Sequence, residues 1–600
     1  GSQSTTGSIT FSSSGSAGFR GIQVGTGATG QGLISITNNT IGGITASATG
    51  SGKVNLVGIN FQSTTIIPST QYTVTGNTIG SNTTANSLQN STNDYTYGIN
   101  ALAAQTTSTN SISNNTIANI ISTNTSTGNI IIGINTPGST GGIFSTMNNT
   151  IFNLSTATTA TGVSSAASII GINATAATNA GQTVSGNTIY NLSNTQTGAS
   201  ISGIVGIYYS GPTTGTNVVA KNFVHSISLS SSLVTSIITG IYSAAGLTTY
   251  QNNMIRLGNN TTAVGYIIRG INDVAGTAGY AYYFNSVYIG GTGVATGGSN
   301  TFAFTTTPTT ARTIKNNIFF NARSNAAGTA KHYAISVTSG TGLTSNNNDF
   351  YVNGTGGVLG SFAAADVTNL VAWRTASVQD TNSKSWDPQF ITPEGSSTTV
   401  NLHINASNPT PIEGTGIAIS GILDDIDGDV RANFTETDMG ADAGNFTAPV
   451  ANDIAAVSFI SPLNGGTQVQ NIAFTPQASF INNGIATQTS VTVRYKIIDS
   501  GSNEVYNQTA TISSLAADIS STVSFPSATI TSTGLYTIQA IAELAGDQTN
   551  SNDQINGSIT LDSQLAGDYL VGSAQSAPYN TITNAIAKLN AVGVSAAVRF

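Results

Sequence analysis

A four-residue element close to Asn-Asn-Thr-Ile recurs along the first 350 residues and limits the possible folds more than any other feature. Its second Asn returns every 31 to 38 residues, in ten copies. A second element, such as Gly98-Ile99-Asn100, lies between successive copies. Two elements in one phase relation over the same span indicate a structural repeat. The ten recurring residues are Asn39, Asn77, Asn115, Asn149, Asn187, Asn222, Asn253, Asn285, Asn317 and Asn348.

Each copy of the repeat is typical of short β-strands, because Ile, Val, Phe and Tyr alternate with Asn, Thr and Ser. The linkers are Gly, Ser, Thr and Asn runs that suit turns, and no helical apolar pattern fills them. One repeat cannot bury its own apolar face, whereas stacked repeats can. We therefore predict an all-β chain whose residues 1–400 form a right-handed parallel β-helix of about ten coils. The sequence contains neither a hexapeptide period nor a calcium-binding nonapeptide repeat, so it does not favour the solenoid types that these repeats form.

The repeat also predicts how its residues are placed. The Ile positions of five copies should stack as one interior column. The recurring Asn residues suit sharp bends, since Asn tolerates left-handed backbone geometry, and stacked Asn side chains can form hydrogen-bonded ladders. The Asn-x-Thr sequons are then incidental to the ladder. The five Ile residues are Ile41, Ile79, Ile117, Ile151 and Ile189.

Composition narrows the functional classes. Only 7% of residues are charged, against about 25% in typical proteins. There is no Cys, which excludes disulfides and thiolate metal sites and favours a bacterial surface over an animal one for a secreted chain. The apolar runs are too short to span a bilayer. Residues 1–350 carry nine Lys and Arg, too sparse for a nucleic-acid interface.

The coil motif Gly186-Asn187-Thr188-Ile189 resembles the repeats of pectate-lyase-like β-helix proteins, and most of all those of very long surface proteins and adhesins of Bacteroidota. Residues 401–450, here called the closing segment, resemble the usual end of such helices, as do residues just before them. The resemblance covers about three quarters of the chain and implies an extracellular, cell-surface location and export by the type IX system. The matching stretches are 370–373, 380–383, 388–390, 402–404, 425–431 and 438–442.

The second half follows a different pattern. Residues 451–563 show strands 8 to 12 residues apart, which is typical of an antiparallel sandwich. The stretches 480–484 and 548–553 resemble loops of bacterial immunoglobulin-like modules. In residues 564–600 a helical apolar pattern from Tyr579 to Leu589 is followed by a strand. These residues resemble the N-terminal cap and first strand of a further β-helix, so we expect tandem modules of one long chain to be its neighbours.

Pectate-lyase-like folds often cleave polysaccharides, so the resemblance raises the question of catalytic residues. Glycoside hydrolysis needs two carboxylates about 5–9.5 Å apart. Residues 1–348 contain only two acids, Asp94 and Asp273, and these fall in different coils. The sequence therefore predicts no enzyme and no catalytic residues. His225, His332 and His403 are widely separated, which favours structural roles.

One dense carboxylate cluster follows in the closing segment. The alternate acids around Gly428, which are Asp425, Asp427 and Asp429, could ligate calcium through oxygen atoms. The cluster also contains Asp424, with Asp438 and Asp442 downstream. The alternative is a tight Asx/Gly turn locked by Arg431. Calcium is the only cofactor that the sequence suggests.

Aromatic residues gather in the later coils and leave two interpretations. An exposed row could stack on sugars, whereas an interior stack is the alternative that we favour. The expected function is a non-catalytic, rod-like stalk or spacer of a large secreted surface protein, in contact with glycans or host surfaces. A carbohydrate-binding module and a polysaccharide lyase or hydrolase are the alternatives. The aromatic residues are Tyr208, Tyr209, Tyr242, Tyr266, Tyr280, Tyr282, Tyr283, Phe284 and Tyr288.

Overall fold

The structure is a computed structural model, and its contacts divide the chain into two units, Gly1–Ala448 and Pro449–Phe600. The predicted boundary after residue 450 lies close to this division. Each unit is described by itself. The described residues are 8–25, 32–62, 71–102, 109–137, 142–176, 179–198, 200–231, 233–258, 265–295, 297–434, 436–517 and 519–600.

The first unit is a parallel β-solenoid built from three sheets, with strands numbered in chain order. Sheet 1 contains β1 (Ile9–Ser13), β4 (Thr40–Ile41), β5 (Ile44–Ala48), β8 (Thr78–Gly80), β9 (Leu88–Asn90), β12 (Thr116–Ser122), β15 (Thr150–Thr156), β18 (Thr188–Asn194), β21 (Phe223–Leu229), β24 (Met254–Leu257), β27 (Ser286–Ile289), β30 (Ile318–Asn321) and β33 (Asp349–Val352). Sheet 2 contains β2 (Ser16–Val24), β6 (Lys53–Gln62), β10 (Thr96–Leu102), β13 (Ile131–Pro137), β16 (Ile169–Thr175), β19 (Gly203–Ser210), β22 (Ile237–Ala245), β25 (Ile267–Asp273), β28 (Thr301–Thr306), β31 (His332–Val337), β34 (Gly357–Phe362) and β35 (Ala365–Val367). Sheet 3 contains β3 (Leu33–Thr37), β7 (Gln71–Thr75), β11 (Thr109–Ser113), β14 (Ile143–Met147), β17 (Thr183–Ser185), β20 (Val218–Ala220), β23 (Thr249–Gln251), β26 (Tyr280–Tyr283), β29 (Arg312–Lys315) and β32 (Leu343–Asn346).

The number of coils differs from the predicted ten. Among the described residues, the main path of sheet 1 runs through eleven strands from β1 to β33, and each pairs in parallel with its copy in the next coil. The prediction was low because the Asn element marks only the coils that contain it, and β1 and β2 precede its first copy. At about 4.8 Å per coil, eleven coils extend about 50 Å.

The predicted Ile column is confirmed. Ile117 pairs in register with Ile79 on one side and Ile151 on the other, and its side chain is fully buried. The glycine of the second element packs against this column. A Cβ at Gly98 would lie 2.6 Å from Ile117 Cγ2 and 2.5 Å from Gly133 O, so only glycine fits there.

The Asn repeat forms a buried hydrogen-bonded ladder through the coils. Both the backbone N–H and the Nδ2 of Asn115 donate to Oδ1 of Asn149, at 3.0 and 2.9 Å, and Asn149 donates in the same way to Asn187. The left-handed backbone lies one residue earlier, at Asn114 (φ 54°) and Asn148 (φ 54°). Bend and ladder are therefore separate roles of two adjacent positions.

The coils end at helix α1 (Leu370–Ser377), whose Trp373 is fully buried. Ser383 Oγ accepts the N–H of Asn348, the last Asn of the ladder, at 2.9 Å. Asp380 stands beside them: its Oδ1 accepts from Ser383 Oγ, and its Oδ2 accepts from Trp373 Nε1. The Asn ladder and helix α1 therefore end at the same place, and together they close the stack of coils.

The chain then returns along the outer face of sheet 1. It contains β36 (Phe390–Thr392), β37 (Asn401–Ile404) and a 3-10 helix (Arg431–Asn433). Apolar side chains from both sides form a second core outside the coils. The buried members of this core are Met254, Tyr288, Ile318 and Phe320 from sheet 1, and Phe390, Leu402, Ile404, Ile412, Met439 and Ala441 from the returning chain.

The second unit contains two sheets that share one apolar core, which includes Phe480, Tyr495 and Ile538. The first sheet contains β38 (Ile454–Ser461), β40 (Gln477–Asn482) and β43 (Ser520–Ser524). The second contains β39 (Gly466–Val469), β41 (Gln488–Ile498), β42 (Glu504–Leu515), β44 (Gly534–Glu543) and β45 (Gln554–Asp562).

Helix α2 (Ile582–Val592) connects β46 (Leu565–Asp568) with β47 (Val594–Arg599), and these two strands pair in parallel. The helix begins at the side-chain cap Thr581 and ends at Gly593. It begins three residues after the start of the predicted stretch and ends three residues after its end. In the described chain no helix has the length and apolar character needed to cross a membrane.

Candidate cation site in the closing segment

The Asp-rich turn of the closing segment is organised by Asp425, which is fully buried. Its Oδ1 accepts from the backbone N–H groups of residues 427–429 at 2.9–3.0 Å, and its Oδ2 accepts from Ala443 N at 3.1 Å. Gly428 has a φ of 96°, which glycine adopts without strain. This arrangement is the Asx/Gly turn that the sequence offered as the alternative to calcium ligation.

Arg431 touches the turn, as the alternative interpretation expected, because its Nε donates to Asp424 O at 3.3 Å. It also fixes the turn to the coils, which the sequence did not predict. Its Nη2 donates to Asn252 Oδ1 and to Gly440 O, both at 2.9 Å, and its guanidinium lies 4.0 Å from the centre of the Phe284 ring. Burial lowers the pKa of Arg431 to about 10, although the nearby carboxylates, Asp425 first among them, favour its charged form.

The closing segment contacts the residues that precede the last five ladder Asn residues. Lys221 Nζ lies 2.7 Å from Asp424 Oδ2. Asn316 holds the backbone of Ile417 from both sides: its Nδ2 donates to Ile417 O at 2.7 Å, and its Oδ1 accepts from Ile417 N at 3.0 Å. Asn347 Nδ2 donates to Thr415 O at 2.9 Å. Sequence reasoning missed this interface, although Lys221 departs from the Asn or Gly usual at its position.

A different set of ligating groups converges where the turn meets β37. One ligand atom each of His403, Asp427 and Asp442 lies within 4.8 Å of the others. Of the three carboxylates predicted as calcium ligands, only Asp427 belongs to this set. Asp425 is committed to the turn, and Asp429 is exposed in the same loop outside the set.

The three residues of this set come from separate parts of the closing segment. His403 lies on β37, and its Nε2 is 2.7 Å from Asp427 Oδ2. Asp442 Oδ2 accepts from Ile404 N at 2.7 Å. Burial raises the pKa of Asp442 to about 6, and the neighbouring Asp425 and Asp427 raise it as well. The arrangement can hold a proton or a cation between imidazole and carboxylate.

The other two histidines have structural surroundings. Burial lowers the pKa of both His225 and His332 to about 4, so their rings are neutral near pH 7. His225 stacks on Tyr190 with ring centres 5.0 Å apart. His332 lies 2.9 Å from Thr301 Oγ1 through Nδ1.

The two acids of the coils do not meet. Asp273 is fully buried on β25, where Thr306 Oγ1 donates to its Oδ2 at 2.7 Å, and burial raises its pKa. Asp94 precedes β10, several coils away, and its Oδ1 accepts from Tyr95 N. A glycosidase pair between them is not formed.

Most aromatic residues of the predicted set in the later coils are buried, but of that set only Tyr209, Tyr266, Tyr280 and Tyr282 belong to the favoured interior core. Tyr288 lies in the second core outside the coils, Phe284 lies against Arg431, and Tyr283 is half-buried. Tyr208 and Tyr242 are half-buried, but their rings stack on each other with centres 5.3 Å apart. Self-stacking of this kind occupies ring faces that a sugar would need. The fully or nearly fully buried residues of the predicted set are Tyr209, Tyr266, Tyr280, Tyr282, Phe284 and Tyr288.

Comparison with known proteins adds little. No protein-family model and no curated protein sequence matches the chain. Among solved structures, it is similar to the CARDB domain of the PF1109 protein from Pyrococcus furiosus, in a crystal structure with di-metal ions and in a solution NMR structure. Each is 17% identical and matches 19% of this chain, with 90% and 96% of the domain covered and a TM-score of 0.16. A likeness at this TM-score carries no argument about function.

Proposed function

We propose that this chain is a non-catalytic, rod-like segment of a large secreted surface protein of the Bacteroidota type, and that it serves as a stalk or spacer. The observation that carries the proposal is the continuity of the coils along one axis. The interior Ile column and the Asn ladder join each coil to the next. In such solenoids each repeat contacts only its neighbours, so length can grow without redesign of the core.

The proposal includes a right-handed coil sense, an immunoglobulin-like second unit and export by the type IX system. It rests on the sequence resemblance for these points. Charge supports a spacer over a catalyst, because residues 1–348 contain Asp94 and Asp273 as their only acids. Half-buried rings on the outside stack on one another in two pairs, Phe152 with Tyr190 and Tyr208 with Tyr242, which disfavours a sugar-stacking platform at these positions.

Surface display tests the spacer role. A reporter domain is displayed on encapsulated cells above no copy, one copy or two copies of the full chain, and binding of a large antibody to the reporter is measured. We expect antibody binding to rise with copy number. Equal binding with none, one and two copies would overturn the spacer role.

A second assay addresses the alternatives. The full chain is incubated with pectins, alginates and neutral glycans, and both products and bound glycan are measured. We expect neither. Turnover that is lost in Asp273→Asn would establish an enzyme, and saturable binding without turnover would establish a carbohydrate-binding module.

A further inference from the structure

Three distant parts of the closing segment bring metal-ligating side chains to one point. His403 is on β37, Asp427 is in the Asx/Gly turn and Asp442 follows Gly440, yet one ligand atom of each lies within 4.8 Å of the others. Their exposure is graded from the exposed Asp427 to the buried Asp442. The point is therefore reachable from solvent and anchored in the protein.

The imidazole of His403 is oriented for ligation. Its Nδ1 lies 2.5 Å from Asn401 Oδ1, and an amide oxygen only accepts hydrogen bonds, so Nδ1 carries a proton. Nε2 then faces Asp427. A hydrogen bond from the second ring nitrogen to a fixed acceptor is the usual support of a metal-bound histidine.

Asp442 provides an independent observation. Its side chain is 8% exposed, and its one hydrogen bond comes from Ile404 N to Oδ2. Its Oδ1 has no hydrogen-bond partner among the described residues, although a carboxylate offers about four acceptor sites. Burying a carboxylate with so few partners is costly unless a cation satisfies it.

We propose that His403, Asp427 and Asp442 bind a divalent transition-metal ion of the zinc class. A set of one imidazole and two carboxylates suits zinc, whereas calcium prefers six to eight oxygen ligands. Three protein ligands leave a position for water. Ligand atoms around zinc stand about 3.3 Å apart when the bonds are about 2.0 Å, so the 2.7 Å between His403 Nε2 and Asp427 Oδ2 must widen. The Asp427 side chain is 54% exposed and can rotate outward.

A bound ion would join β37, the turn and the stretch around Asp442. These are the parts of the closing segment that cover the outer face of sheet 1. The ion would thus act as a clasp that holds this covering in place and leaves the coils unchanged.

The test uses the full chain without an affinity tag, stripped with EDTA and titrated with zinc chloride by calorimetry. We expect one zinc ion per chain and a higher melting temperature. His403→Gln and Asp427→Asn should each weaken binding about tenfold or more. Asp429→Asn is the matched control, since Asp429 is an exposed carboxylate of the same turn outside the set, and its affinity should be unchanged.

The proposal is overturned if zinc does not bind stoichiometrically, or if His403→Gln binds as tightly as the unmodified chain. Equal losses in Asp427→Asn and Asp429→Asn would also overturn it, because they would indicate diffuse attraction to the acidic loop. Calcium chloride is titrated in parallel. Tighter binding of calcium than of zinc would contradict the assigned ligand set. Asp427→Asn alters an exposed side chain, so a folding defect in another variant leaves the test intact.

Discussion

Replacement of Asn149 by Ala measures how much the ladder stabilises the coils. The Asn149 side chain makes four buried hydrogen bonds. Its Nδ2 donates to Ile112 O and Asn187 Oδ1, and its Oδ1 accepts from the backbone N and the Nδ2 of Asn115, all at 2.9–3.0 Å. Truncation to Ala leaves two Asn115 donor hydrogens without this acceptor. At about 1–3 kcal/mol for each buried unsatisfied group, the free energy of unfolding should fall by about 2–6 kcal/mol.

The chain itself suggests a graded companion. Ser383 Oγ takes the place of a ladder Asn at the last step, where it accepts from Asn348 N at 2.9 Å. Asn149→Ser should therefore keep part of the acceptor function and lose less stability than Asn149→Ala. The control is Asn82→Ala, because Asn82 is exposed and has no side-chain hydrogen bond to a described residue.

Unfolding in guanidinium chloride, followed by circular dichroism, gives the comparison. Midpoints are compared at a common slope, because a changed slope would mean partial unfolding of individual coils. The expected order of stability is the control, then Asn149→Ser, then Asn149→Ala. If Asn149→Ala lowers the midpoint no more than Asn82→Ala does, the ladder does not stabilise the coils and our reasoning is wrong.

Two further predictions concern burial. Ile117→Asp places an unpaired charge in the interior column and should cost several kcal/mol, seen as a large loss of melting temperature, whereas Val371→Asp at a 71% exposed position should cost little. Equal losses would place Ile117 outside the core. Burial raises the pKa of Asp438 to about 7 from 3.8. Between these two pH values the folded protein therefore keeps a proton on Asp438 that the unfolded chain has released, and this proton binding stabilises the folded state. Its stabilising effect is complete below about pH 4 and is lost as pH rises through 7, so melting temperature should fall from pH 5 to pH 8, and fall less in Asp438→Asn.

The coils could be predicted because their order is local and repeated. Ile117 and its counterparts recur with the repeat, and each residue meets its own copy one coil away. The Asn repeat likewise predicted the ladder. The pattern could not show which of two adjacent Asn residues has which role, because both residues are Asn. Asn114 forms the bend and Asn115 belongs to the ladder.

The candidate cation site could not be predicted in the same way. His403 and Asp427 lie 24 residues apart, and the chain between them follows no repeat. The three Asp residues of the turn looked equivalent in sequence, but a tight turn consumes the carboxylate of Asp425 and leaves Asp427 free to face β37. The contact of Asn252 with Arg431 spans 179 residues and depends on where the closing segment crosses sheet 1. Such contacts follow from tertiary packing.

Arg431 gives this crossing its strongest test. The side chain is 6% exposed, and its Nη2 donates at once to Asn252 of the coils and to Gly440 of the closing segment. Its flat guanidinium also covers the Phe284 ring. Lysine keeps the charge but has no planar fork and cannot cover the ring in this way.

Arg431→Lys should therefore loosen the closing segment without unfolding the coils. Loss of the two hydrogen bonds from the charged guanidinium, at about 1.5–3 kcal/mol each, costs about 3–6 kcal/mol, which is enough to raise the open fraction of the segment by more than a hundredfold. Limited proteolysis with chymotrypsin, read by mass spectrometry, should show faster cleavage between residues 405 and 447, while circular dichroism keeps the β signal of the coils. Arg599→Lys, at a 79% exposed side chain, is the control. If Arg431→Lys is cleaved no faster than that control, the segment is held by its apolar contacts with sheet 1, and the buried arginine is not what fastens it.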